Sequence, residues 1–167
     1  TMGFGIFWIT VFLNVPEGTV FAGVQLDGSI LTMQLDLVAQ LKVLLLSLPL
    51  VCTIANIMLS NNICDLETDI TNHRYTLVYY IGKKQALVLY QVLYAIAFGA
   101  ILLAVLLGTA PWILLGVLVA GVPVYKHIQQ FKAVQEKKTT FALAIKNMVM
   151  IHSLQAVLLF VAVLFFN

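Results

Sequence analysis

The chain has 167 residues, of which 62% are hydrophobic and only 10% charged, with a formal net charge of +2. A mean hydropathy of +1.02 excludes an ordinary soluble domain and describes an integral membrane protein. The small positive balance is that of basic residues beside anionic lipid and gives no indication of a nucleic-acid partner.

Residues 1–14, TMGFGIFWITVFLN, are apolar for less than one membrane crossing and lack the basic leader and small-residue cleavage site of a signal peptide. They read as the tail of a span, so the chain is expected to be a fragment or a processed product. Residues 15–36, with Pro16, Gly18, Gly23 and Gly28, read as a connecting loop, partly embedded. Residues 41–60 make one crossing, since ~20 residues at ~1.5 Å each cover a hydrocarbon layer of ~30 Å. Their single charge, Lys42, lies at the edge. Residues 85–108 carry no charge, and residues 139–166 are interrupted only by Lys146 and His152. The stretch 109–125 is shorter and holds Gly116, Gly121 and Pro123; it reads as a further span, because neighbouring helices can satisfy the backbone that glycine and proline loosen. The expected fold is all-α, with about four complete transmembrane helices and a partial one.

Basic residues fix the expected orientation. The 15–36 loop has Glu17, Asp27 and Asp36 but no Lys or Arg, whereas the 61–84 loop has Arg74, Lys83 and Lys84 and the 126–138 loop has Lys126, Lys132, Lys137 and Lys138. The positive-inside rule puts the latter two in the cytoplasm, and the 15–36 loop and the C-terminus outside, in a multi-pass protein of the cell membrane. Cys52 and Cys64 have neither a C-x-x-C neighbour nor metal spacing, which argues against a disulfide and against zinc. His73, His127 and His152 are scattered and read as packing or interfacial residues.

The stretch NNICDLETDITNHRYTL, residues 61–77, breaks this apolar pattern with three acids within five residues. On a helix continued past Ser60, Asn61, Asp65 and Asp69 recur every four residues on one face, with Asn62 beside them. Two carboxylates one turn apart repel and require a cation. Hard oxygen donors suit Mg²⁺, which keeps waters and substrate phosphates in its shell. Arg74 adds a fixed positive fork for phosphate oxygens. Glu67 points away from the stripe and is the weakest of the three acids. The plainer alternative is a solvated polar loop that ends a span.

These residues carry a resemblance. The stretch from Asn61 to Gly82 resembles the second aspartate-rich motif of the UbiA superfamily of intramembrane prenyltransferases. It is most similar to the 1,4-dihydroxy-2-naphthoate prenyltransferase (MenA-type) branch, whose pattern is N-N-x-x-D-x-x-[ST]-D-x-x-x-G-[KR]-x-T-L-x-x-x-[LI]-G. Asn61, Asn62, Asp65, Thr68, Asp69, Arg74, Thr76, Leu77 and Gly82 match it, and His73 stands where the family has glycine.

The resemblance implies a nine-helix bundle with two aspartate motifs on cytoplasmic loops. Residues 1–60 hold no first motif. The chain is therefore expected to correspond to the C-terminal half of such a domain, to lack half of its metal ligands and to be inactive without the missing N-terminal half. The implied reaction moves a polyprenyl group from its diphosphate to an aromatic acceptor, which the resemblance gives as 1,4-dihydroxy-2-naphthoate in menaquinone biosynthesis. Asp65 and Asp69 would hold Mg²⁺, while Asn61, Asn62 and Arg74 would bind the diphosphate. Other acceptors, such as 4-hydroxybenzoate or a porphyrin, and a cation-binding transport subunit are the alternatives.

The orientation is open to a direct check. With Cys52 and Cys64 replaced by Ala, a cysteine introduced at Lys137 is expected to react with impermeant maleimide only from the cytoplasmic side, and one at Gly28 only from outside. The opposite labelling would put the acidic stretch on the wrong face of the membrane.

Overall fold

The computed structural model describes residues 2–16 and 21–165. Thr1, residues 17–20 and residues 166–167 lie outside the described residues, and with them Glu17 and the end of the span expected over 139–166. Helix α1 (Met2–Leu13) is followed by two antiparallel strands, β1 (Ala22–Asp27) and β2 (Ile30–Leu35), and by the long helix α2 (Leu37–Cys64). Two short helices, α3 (Leu66–Thr71) and α4 (Leu77–Ile81), lead into α5 (Lys83–Leu106). A 3-10 segment (Trp112–Ala120) runs directly into α6 (Gly121–Ala133), and α7 is Phe141–Phe165. Among the described residues, four helical stretches are long and apolar enough to cross a membrane: Leu37–Cys64, Lys83–Leu106, Trp112–Ala133 and Phe141–Phe165.

Two expectations are corrected. Residues 22–35 form a β-hairpin within the stretch 15–36 that the sequence presents as a partly embedded connecting loop. Gly28 takes φ 61° in the two-residue connection Gly28–Ser29, a conformation open to glycine and suited to a tight hairpin. The span placed at 109–125 extends to Ala133, so Lys126, His127 and Lys132 lie on a helix and not in a loop. Nothing in the side chains of Lys126 and His127 interrupts backbone hydrogen bonding, and polarity alone marks the membrane edge and not the helix end.

Helix α2 is the centre of the bundle, with α1, α5 and α7 packed against it. It starts where Asp36 Oδ1 accepts from the backbone N–H of Val38 and Ala39, at 2.9 and 3.0 Å, filling two of the donors a helix start leaves open. A Cβ added at Gly3 would lie 3.0 Å from Val51 Cα, so the absence of a side chain lets α1 cross α2 at backbone distance. On α5 the buried residues Ala86, Tyr90, Tyr94, Ala97, Ile101 and Ala104 recur every three or four positions, one stripe turned to the core. Without water between helices, association rests on this close packing and on polar pairs.

Those polar pairs tie four helices together. Asn56 Nδ2 on α2 donates to the Tyr90 carbonyl at 3.1 Å, and the Tyr90 and Tyr94 hydroxyls are 3.4 Å apart. Asn147 on α7 donates from Nδ2 to the Tyr94 hydroxyl at 3.1 Å and accepts at Oδ1 from His127 Nδ1 at 2.6 Å. Thr53 Oγ1 and His152 Nε2 pair α2 with α7 at 2.8 Å. Both intramembrane histidine contacts are helix-to-helix hydrogen bonds.

Asn147 joins two partners and is fully buried, so Asn147→Leu leaves the Tyr94 hydroxyl and the His127 ring each short of a bond. The expected loss is about 1–3 kcal/mol, read as a lowered thermal unfolding midpoint in detergent. Val149→Leu, on the exposed side of the same helix, should leave the midpoint unchanged.

Candidate functional site

The acidic stretch occupies the end of α2 opposite the hairpin. Asn61 and Asn62 are half-buried on its last turn, and the helix closes at Asp65, whose backbone N–H still bonds to the Asn61 carbonyl at 2.9 Å. Asp65 itself sits at φ −94° and ψ 3°, outside helical geometry, so the continuous helix expected through Asp69 is interrupted there. Helix α3 resumes at once, and Asp69 N–H bonds to the Asp65 carbonyl at 2.8 Å. The four-residue stagger of Asn61, Asp65 and Asp69 thus survives in the backbone hydrogen bonds across a kink. Asp69 is buried at 6% exposure, whereas Glu67 is exposed.

Each aspartate has its own cation. Arg74 Nη1 lies 3.8 Å from Asp69 Oδ1, with 74% of the arginine side chain exposed, a loose contact that leaves the guanidinium open to a ligand. Asp65 Oδ2 accepts from Lys137 Nζ, on the loop between α6 and α7. Lys137 is the site residue that sequence reasoning missed: it counted only toward orientation. Its membership in a cluster of four lysines over 126–138 was the available signal, but no spacing singled it out.

The loop between the acids and α4 is held by Arg74 N–H on the Asp69 carbonyl at 2.8 Å and by His73 N–H on the Ile70 carbonyl at 3.0 Å. His73 takes φ 55° there. The left-handed conformation explains why the resembling pattern has glycine at this place, and histidine adopts it at the cost of a Cβ clash. Thr76 follows at the position before α4. Its Oγ1 is buried without a hydrogen-bond partner among the described residues. This is an unused polar group inside the motif.

No three His, Cys, Asp or Glu side chains among the described residues gather closely enough to hold a metal unaided. The candidate donors are instead the carboxylates of Asp65 and Asp69, hard oxygen ligands, with Asn61 and Asn62 on the preceding turn and Arg74 and Lys137 paired to the acids. That set fits Mg²⁺, which binds through one or two carboxylates and completes its shell with water and phosphate. It does not fit a soft metal, and Cys52 and Cys64 are both free.

Fold and site together define a multi-pass helical membrane protein with an oxygen-rich, cation-flanked cluster at the end of its central span. The model of the UbiA prenyltransferase family matches residues 3–154, and the chain belongs to that family of membrane prenyltransferases, which are generally Mg²⁺-dependent. No curated protein and no solved structure matches the chain.

The strained histidine gives a local test. His73→Val, β-branched at a positive φ, should destabilise the protein by roughly 1–2 kcal/mol, while His73→Gly should be neutral or slightly stabilising. Thermal unfolding midpoints of the two variants decide this, and equal midpoints would remove the backbone explanation.

Proposed function

We infer that the chain supplies the second aspartate motif of an aromatic prenyltransferase acting on a polyprenyl diphosphate, with 1,4-dihydroxy-2-naphthoate as acceptor, in menaquinone biosynthesis. The observation that carries the reading is the pair Asp65 and Asp69, staggered by one turn at the end of a membrane span and each matched to a separate cation, Lys137 and Arg74. The reading places this end of the bundle on the cytoplasmic side, where diphosphates are found, and the C-terminus outside. The naphthoate assignment rests on the match of residues 61–82 to the MenA-type pattern.

Asp65 and Asp69 are the residues that would hold Mg²⁺. Bound there, it supplies positive charge to the diphosphate as a leaving group. Arg74 and Lys137 turn from the carboxylates to diphosphate oxygens, so that charge pairing is exchanged and not lost. Asn61 and Asn62 can donate amide N–H groups to the same oxygens. With the diphosphate so held, the allylic C–O bond breaks and its electron pair leaves with the diphosphate. The electron-rich ring carbon forms the new C–C bond to the allylic carbon. The carboxylate on that ring carbon departs as carbon dioxide and returns its bonding pair to the ring. Apolar helix walls exclude the water that would otherwise capture the prenyl cation.

One pair of aspartates gives few charges against a diphosphate. In this reading a second acidic motif, absent from residues 1–60, comes from a complementary N-terminal half, and the chain alone is inactive. A transport role is disfavoured because a permeation path needs its acids at membrane depth, and these lie at a helix end.

The test is prenyl transfer by the complete protein with dihydroxynaphthoate and 4-hydroxybenzoate in parallel. Asp65→Asn and Asp69→Asn should each lose at least about a hundredfold in turnover, and Glu67→Gln should stay near the parent. Full activity in both aspartate variants would reject the site, and preference for 4-hydroxybenzoate would reject the acceptor alone.

A further inference from the structure

The β-hairpin at the other end of α2 has two chemically different faces. Its register pairs Ala22 with Leu35, Val24 with Met33 and Leu26 with Leu31, and because side chains alternate, all six lie on one side. The opposite side carries Gly23 with Gln34, Gln25 with Thr32 and Asp27 with Ile30. The apolar side is open: Val24, Leu26 and Met33 are 68%, 70% and 74% exposed. A lone two-stranded hairpin is marginally stable in water, and one that displays its apolar face to water is less so. Something covers that face.

Its position indicates what does. The base of the hairpin is fastened to the first turn of α2, where Gln40 Nε2 donates to the Phe21 carbonyl at 3.0 Å and Asp36 N–H to the same oxygen at 3.3 Å. Above that base the apolar face leans toward α1. A groove of about 560 Å³ separates them, lined by Trp8 and Phe12 on one wall and Val24, Met33, Gln34 and Leu35 on the other. Trp8 precedes the end of α1 by more than a turn, so the groove lies at the depth of the outermost helical turns and not above them. Past the capping Asp36 the apolar surface resumes on Leu37, Val38 and Leu41 at the start of α2, part of a membrane span, with Lys42 beside them. The open strand edges set the opposite limit. Their unpaired N–H and C=O groups cannot enter dry hydrocarbon, so the hairpin cannot be fully immersed.

We propose that the hairpin is an interfacial anchor, lying in the leaflet opposite the acidic motif with its apolar face in the acyl-chain boundary and a lipid chain in the Trp8–Met33 groove. Gln25 and Thr32 face the hydrated headgroups, where water also satisfies the strand edges, while Gln34 lines the groove itself. Tryptophan suits the groove because its apolar ring lies in lipid and its N–H keeps a polar partner, here Gln40.

The test uses the complete protein in phosphatidylcholine–phosphatidylglycerol vesicles, with Cys52 and Cys64 changed to Ala and single nitroxide labels at Val24, Gln25, Thr32 and Met33. These positions are exposed, so labelling leaves the packing intact. The expected result is an alternation: labels at 24 and 33 relaxed by oxygen and shielded from a water-soluble nickel chelate, and labels at 25 and 32 the reverse, with several-fold differences between neighbours. Nickel access at all four positions would overturn the proposal, because the hairpin would then stand in water. Exclusion of both reagents from 24 and 33 would overturn it as well, by showing that protein covers the face.

Discussion

Hydrocarbon offers no hydrogen bonds, and that constraint governs where every polar group of this chain is found. Backbone groups close on themselves in helices, and among the described residues the pair of strands lies at the end of α2 and not within a span. Inside the bundle Asn56, Tyr94, His127, Asn147 and His152 make hydrogen bonds to a neighbouring helix, so these polar residues help specify which helices meet. Asn147 is the clearest case, since it engages α5 through Tyr94 and α6 through His127.

The same constraint leaves the ends of α2 as the places for charge. At one end Asp36 serves the helix itself, capping its first turn. At the other, Asp65 interrupts the helix and Asp69 follows one turn later, with their charges matched by residues from elsewhere in the chain. Like charges so close are tolerated because Arg74 and Lys137 stand opposite them. The cluster therefore carries its own counterions.

Most of this architecture is legible in the sequence. The crossings at 41–60, 85–108 and 139–166 correspond to helices Leu37–Cys64, Lys83–Leu106 and Phe141–Phe165, because in a membrane apolarity and helicity coincide. Where they diverge the reading fails: α6 continues through Lys126 and Lys132 after apolarity has ended. The hairpin was hidden by its glycines, although Gly28–Ser29 between two alternating apolar runs is a turn signal in its own right. At the acidic cluster the periodicity brought Asn61, Asp65 and Asp69 together, since such spacing is local. Lys137 meets Asp65 across 72 positions, and no local pattern encodes that distance.

The nine-residue 3-10 segment changes the length of its span. A 3-10 helix rises ~2.0 Å per residue against ~1.5 Å for an α-helix, so Trp112–Ala120 extends the crossing by several ångströms over an α-helix of the same residue count. The added length carries the far end of α6 outward, and with it the start of the loop to α7. Lys137 can thereby arrive beside Asp65 at the tip of α2, a helix of 28 residues. A tightly wound, thin helix thus lengthens the span whose far end leads into the loop that carries Lys137. Lengthening or shortening that segment by rewinding it would raise or lower the lysine relative to the acids without altering a residue near them.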